Sequence, residues 1–91
     1  MFNNFKIAET EGYLEQIKKP EFKKIYEKIK SFVYPALKTN PYFSSHIKKL
    51  KGKYSEIYRY RVGDYRLFYT VDKEKVIIFI VSLIHRKDAY R

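Results

Sequence analysis

YSEIYRYRVGDYRLFYTVDKEKVIIFIVSLIHRKDAYR, residues 54–91, holds three apolar-alternating runs in succession, at 56–62, 65–71 and 75–84. Gly63-Asp64 and Asp72-Lys73-Glu74 separate them. Short alternating runs joined by turns of this length and composition predict an antiparallel meander. Period two also assigns faces. In the first run Tyr58, Tyr60 and Val62 share one face, with Ile57, Arg59 and Arg61 on the other. In the second, Leu67, Tyr69 and Val71 oppose Arg66, Phe68 and Thr70. In the third, the expectation is Ile77, Phe79, Val81 and Leu83 inward, leaving Ile78, Ile80, Ser82, Ile84 and, by continued alternation, Arg86 outward. Four arginines then converge on one side of the sheet.

Upstream, Phe5-Lys6-Ile7-Ala8 alternates and predicts a first strand. Thr10 offers an N-cap with Glu11 in the first turn, and Tyr13, Leu14 and Ile17 line one face of a short helix ending near Lys19-Pro20. Pro20 suits the start of a second helix. Its apolar stripe is Phe22, Ile25, Tyr26, Ile29, Phe32 and Val33, at helical period. Pro35 is expected to end or kink it near Val33, because proline lacks the amide donor and crowds the preceding turn. Asn40-Pro41 marks a break, and residues 42–53 read as a connecting segment carrying Lys48, Lys49, Lys51 and Lys53. The layout is α+β: an N-terminal strand and a helical hairpin packed on a small antiparallel sheet, in one domain over residues 1–91. The helices cover one sheet face and leave the other open.

The chain has 91 residues, 45% of them hydrophobic and 19% aromatic, enough for one core. Lys and Arg number 20 against 10 acidic residues, a net charge of +10. Such an excess points to a polyanionic partner, nucleic acid ahead of an anionic membrane surface. There is no cysteine, so thiolate metal sites and disulfides are excluded. The longest apolar run, residues 76–81, is far too short to span a bilayer. With no signal segment visible either, a cytoplasmic chain is expected.

Arginines on one sheet face repel one another modestly when solvated, and a bound polyanion converts the cost into a gain. The planar guanidinium grips phosphate bidentately. Arg59, Arg61, Arg66 and Arg86, extended by Lys48, Lys49, Lys51 and Lys53, therefore form a candidate phosphate track. A second concentration of chemistry is His85-Arg86-Lys87-Asp88-Ala89-Tyr90-Arg91, where a group that exchanges protons near neutrality sits beside arginine and tyrosine. His46 reads as a surface residue.

KKLKG at 48–52, YRYRVGDYRLFY at 58–69 and HRKDAYR at 85–91 resemble the RelE toxins of the RelE/ParE superfamily of bacterial and archaeal toxin–antitoxin modules. The resemblance covers essentially the whole chain. It implies a RelE-like fold and a ribosome-dependent endoribonuclease that cuts messenger RNA in the A site. The ribose 2′-hydroxyl attacks the adjacent phosphate, the 5′-oxygen leaves and a cyclic phosphate remains, with no metal or cofactor. By resemblance, Arg59 matches a basic residue of the first meander strand, Arg66 and Arg86 clamp the scissile phosphate, and Tyr90 orients the nucleotide. His85 is the candidate general acid or base, since arginine is a poor proton acceptor at neutral pH. The implied partners are the ribosome with its mRNA and a cognate acidic antitoxin, with operator DNA reached only through the antitoxin complex and no membrane. Exposed isoleucines such as Ile78 and Ile80 are expected to receive the antitoxin's apolar side chains. Two other readings stand beside this one: a ParE-like poison of DNA gyrase without nuclease activity, and a non-catalytic basic RNA-binding module.

Overall fold

Residues 4–89 are described by a computed structural model. In chain order the elements are β1 (Lys6–Glu9), α1 (Glu11–Ile17), α2 (Lys23–Lys28), α3 (Tyr34–Thr39), β2 (Ile47–Lys49), β3 (Tyr58–Val62), β4 (Tyr65–Asp72), β5 (Ile77–His85) and the short α4 (Arg86–Ala89). The five strands form one sheet in the order β1-β5-β4-β3-β2. Pairing is antiparallel from β2 to β5, and β1 joins β5 in parallel. The expected antiparallel sheet thus gains a parallel edge, which α1 and the following helices connect back across one face. None of the helices among the described residues is long and apolar enough to cross a membrane.

The meander forms where the alternation places it. Gly63 supplies the positive φ of 57° that a tight two-residue hairpin needs at its first central position. β2 is a strand where the sequence reads as connector. Its three residues pair Ile47 with Tyr60, Lys48 with Arg59 and Lys49 with Tyr58. So short a segment shows no measurable period of its own, and pairing with β3 supplies what local pattern lacks.

Thr10 caps α1 as expected, its hydroxyl accepting from the Tyr13 amide and donating to the Ile80 carbonyl at 2.7 Å. The helical hairpin departs from expectation at Pro35. Helical backbone continues past it to Thr39, because a π-turn over Ile29–Val33 lets the Tyr34 amide donate to the Ile29 carbonyl. Pro35 then falls in the first turn of α3, where its missing amide is tolerated. The π-turn also rotates the apolar stripe. Ile29, Val33 and Leu37 are buried, whereas Phe32, expected in the stripe, is 69% exposed.

These helical residues and Tyr13 pack on Val62, Leu67, Tyr69, Ile78, Ile80 and Leu83 of the sheet. Ile78 and Ile80 are therefore core, which overturns their assignment to the open face and their availability to an antitoxin. The cause is a bulge: Phe68 pairs with Ser82 but Tyr69 pairs with Ile80, so Val81 is skipped. One inserted residue shifts the phase, allowing Ile78, Ile80 and Leu83 to face inward on one strand.

Candidate nucleic-acid interface

The ladder registers set which side chains share the uncovered face. Lys48 lies beside Arg59, Arg59 beside Phe68, and Arg61 beside Arg66, which itself pairs with Ile84. Arg59, Arg61 and Arg66 thus form one contiguous patch on two neighbouring strands, with Lys48 at its edge. The two ion pairs found among the described residues are Lys18–Glu15 and Lys30–Glu27, so neither neutralises this patch.

Burial separates the three arginines. Arg61 is exposed, Arg59 is half-buried and Arg66 is 8% exposed. The Arg66 guanidinium donates through Nη1 to the carbonyls of Gly63 at 3.2 Å and Tyr65 at 3.0 Å, which fixes it against the hairpin turn. Nε of Arg66 and Nε of Arg59 are buried without a hydrogen-bond partner among the described residues. A buried charged donor lacking an acceptor is costly, and a phosphate oxygen satisfies it once the guanidinium turns outward, because solvent reaches neither Nε as it stands.

Arg86 and His85 lie elsewhere than strand alternation suggests. Strand β5 ends at His85, and the Arg86 amide donates to the Asp64 carbonyl as α4 begins, so Arg86 leaves the sheet instead of extending the arginine row. His85 pairs with Tyr65, on the helix-covered side, and meets its ring edge-on at 5.0 Å. Its Nδ1 accepts from the Lys87 amide at 3.3 Å, which leaves the proton of the neutral ring on Nε2. The structure does not bring His85 onto the arginine face. The two share only the end of the sheet at the Gly63-Asp64 turn. Tyr90 lies outside the described residues.

The lysines also divide. Lys49, opposite Tyr58, points to the helix side with its ammonium 5.8 Å from the Tyr58 ring. Lys51 and Lys53 follow β2 toward the Tyr58 end of β3, away from the Gly63-Asp64 turn, and Lys53 sits 5.4 Å over Tyr54. Only Lys48 continues the arginine patch.

At that far end is an aromatic cluster absent from the sequence reading. The ring of Tyr58 stacks on Tyr69 at 5.6 Å and meets Tyr42 edge-on at 5.7 Å, while Phe43 tilts against Tyr42 at 6.4 Å. The available signal was Tyr42-Phe43 directly after Pro41, but a segment taken for connector gave no reason to place those rings beside Tyr58. Among the described residues, no group of three or more His, Asp or Glu side chains gathers that could hold a metal ion.

The family model described as ParE toxin of type II toxin–antitoxin system, parDE, matches residues 13–90. The chain belongs to this ParE toxin family. Solved structures place it within the wider RelE/ParE superfamily of type II toxins. The fold is similar to that of the toxin–antitoxin complex RelBE2 from Mycobacterium tuberculosis, with TM-score 0.78 and 23% identity, covering 94% of this chain and 95% of that one. A YoeB/ParE toxin from Agrobacterium tumefaciens gives TM-score 0.70 at 17% identity, covering 89% and 98%. The isolated Escherichia coli RelE toxin gives 0.69 at 25% identity, covering 89% and 83%. No curated protein matches. This ParE-family toxin therefore shares its architecture with relatives named for both branches.

Proposed function

We propose that this toxin is a ribosome-dependent endoribonuclease that cuts messenger RNA by attack of a ribose 2′-hydroxyl on the adjacent phosphate. The observation that carries the reading is the pair of buried Nε donors of Arg59 and Arg66 that find no acceptor among the described residues, beside Arg61, which no ion pair among those residues neutralises. Guanidinium donors that gain an acceptor only on turning to a phosphate favour the bound state, and their charge stabilises what develops on a phosphorane. Arg66 is held by two carbonyls and is the most fixed of the set.

In the proposed reaction the 2′-oxygen bonds to phosphorus, the bond from phosphorus to the 5′-oxygen breaks, and a 2′,3′-cyclic phosphate remains. Arg66 and Arg59 hold the phosphate oxygens, and Arg86 closes on it from the start of α4. The proton of the 2′-hydroxyl passes to water, and the departing 5′-oxygen takes one from Nε2 of His85 in its imidazolium form, which gives up the Lys87 contact and reaches round the Gly63-Asp64 end of the sheet from the helix-covered side. Tyr90 orients the nucleotide, as the resemblance implies. Arginine cannot act as base at neutral pH, so alignment of the attacking hydroxyl falls largely to the ribosome.

The partner class follows from charge. With a net charge of +10, the toxin suits an acidic antitoxin, and relatives from Mycobacterium tuberculosis and Methanococcus jannaschii were solved as toxin–antitoxin complexes. A second reading, poisoning of DNA gyrase, is favoured by one observation, the match to the ParE family model. Primer extension on cellular mRNA after brief expression separates the two. Discrete cuts inside translated codons support the nuclease; intact mRNA with gyrase-linked DNA breaks replaces it with the gyrase reading.

A further inference from the structure

A cavity of about 590 Å³ opens at the end of the sheet away from the Gly63-Asp64 turn, lined by Tyr42, Phe43, Lys49, Glu56, Tyr58, Val71 and Lys73. Its size lies within the roughly 300–1,000 Å³ of ordinary ligand pockets. Phe43 is 71% exposed at its mouth. The aromatic wall carries two cations, Lys49 over Tyr58 at 5.8 Å and Lys73 over Tyr42 at 6.0 Å. Neither Lys73 nor Phe43 has a part in the reaction proposed above.

We propose that this cavity takes one unpaired base of a single-stranded RNA, which stacks on Phe43 and meets the edge of Tyr58, whose faces Tyr69 and Lys49 flank, while Lys49 and Lys73 hold the flanking phosphates. The proposal deepens the RNA reading above and rests on it. Aromatic faces flanked by lysines are the usual means of holding a single strand without regard to sequence, since every base has a π-face. The carboxylate of Glu56 orients the guest. It repels a phosphate but accepts from ring and amino N–H groups, so the base enters and the backbone stays outside on the lysines.

Continuity with the arginine patch favours RNA over a peptide. Tyr58 and Arg61 are three residues apart on β3, about 10 Å at strand rise. β2 is the edge of the sheet, with Lys48 on the arginine side and Lys49 on the cavity side. One strand can therefore cross this edge with a cation on either side, joining the two sites. An acidic peptide could use the lysines too, but the Glu56 carboxylate opposes it inside the cavity.

The test is fluorescence anisotropy of a labelled 2′-O-methyl RNA hexamer, which cannot be cleaved, titrated with the full chain and without ribosomes. A matched hexamer with abasic sugars serves as control. Phe43→Ala should weaken binding of the hexamer about tenfold and leave the abasic oligomer unaffected. Lys73→Ala should weaken both and reduce the salt dependence by about one phosphate contact. Phe43→Trp should restore binding, and circular dichroism of each variant checks the fold. Hexamer binding unchanged by Phe43→Ala and Lys73→Ala overturns the proposal. So does an acidic, leucine-anchored peptide that binds the chain with loss on Phe43→Ala while the hexamer does not. Cleavage is scored separately on translating ribosomes. A toxin that leaves mRNA intact yet keeps the Phe43-dependent binding disproves the nuclease reading alone, and cleavage with no such binding disproves this one alone.

Discussion

The side-chain amide of Gln16 pairs with the backbone of Leu83 as a neighbouring strand would, Oε1 accepting from the amide nitrogen at 2.8 Å and Nε2 donating to the carbonyl at 3.1 Å. β1 stops pairing at Ile80, so the last part of β5 has no strand on that side. Gln16→Ala removes both bonds and leaves the Leu83 groups partly buried, at a cost of about 1–3 kcal/mol. Gln16→Glu restores the acceptor but turns a carboxylate toward the Leu83 carbonyl, and should not recover that loss. Urea midpoints of the three proteins check this; an unchanged midpoint for the alanine variant refutes it.

Tyr26 and Tyr34 both donate to Oε2 of Glu9, at 2.7 and 2.9 Å, which leaves the Tyr34 oxygen to accept from Tyr13 at 2.9 Å. Burial pushes the Tyr13 phenol up to about 12, and burial drives Tyr34 and Tyr69 upward as well. The folded state thus holds these protons more tightly than the unfolded chain. Their contribution is complete below pH 10, the ordinary phenol value, and is lost as pH rises toward and through 12. Stability should fall steeply over that window, with tyrosinate absorbance appearing together with unfolding. Tyrosinate forming in full before the far-ultraviolet signal changes would refute the coupling.

Val76 holds a φ of +58° in the turn before β5, a region that β-branched residues rarely enter. It is 37% exposed, so the loss of its partial apolar burial offsets some of what relief of the strained backbone returns. Val76→Asn should raise stability by about 1 kcal/mol, since asparagine accepts this conformation without glycine's entropy. A lower melting temperature for the variant contradicts the expectation.

Arg86 is exposed whereas Arg66 is tied to two carbonyls of the hairpin turn. Under the nuclease reading each alanine variant loses cleavage by about 10²–10³-fold. Only Arg66→Ala should also lower the melting temperature. Arg66→Lys should fail to restore cleavage, because lysine lacks the planar fork. Full activity of Arg86→Ala on ribosomes would remove Arg86 from the mechanism.

His85 has a structural duty toward the Lys87 amide as well as the proposed proton transfer. Asparagine offers an acceptor near the position of Nδ1, and glutamine a donor near Nε2, but neither exchanges a proton near neutrality. Both variants should therefore lose cleavage by orders of magnitude while still binding ribosomes. Near-normal cleavage by His85→Asn would reduce His85 to a capping residue.

The meander was legible because Gly63-Asp64 and strict alternation are local signals, and so were the faces of Arg59, Arg61 and Arg66. What the sequence hid depends on pairing at a distance. Val81 looks like any other apolar residue of its run until the Tyr69–Ile80 pairing leaves it out, and Ile78 and Ile80 change sides with it. Pro35 reads as a stop unless the π-turn before it is known. β2 is three residues that only β3 makes into a strand, and with it the Tyr42, Phe43 and Tyr58 rings come together. Continued alternation carried Arg86 onto the sheet, whereas β5 ends one residue earlier.

The parallel pairing of β1 with β5 joins Lys6 to Ile77 and Glu9 to Ile80, the most distant contacts along the chain's ladders. Contacts of such sequence separation form late, after their loop-closure entropy has been met. During synthesis the first strand must wait, unpaired, for some seventy residues to be made, on the order of several seconds at ordinary elongation rates. Tyr13, buried in the same core on a helix that packs on β5, waits with it. A chain that stops short of β5 has no seat for its first strand and nothing to join that strand to β4, so the toxin fold cannot close until β5 has been made.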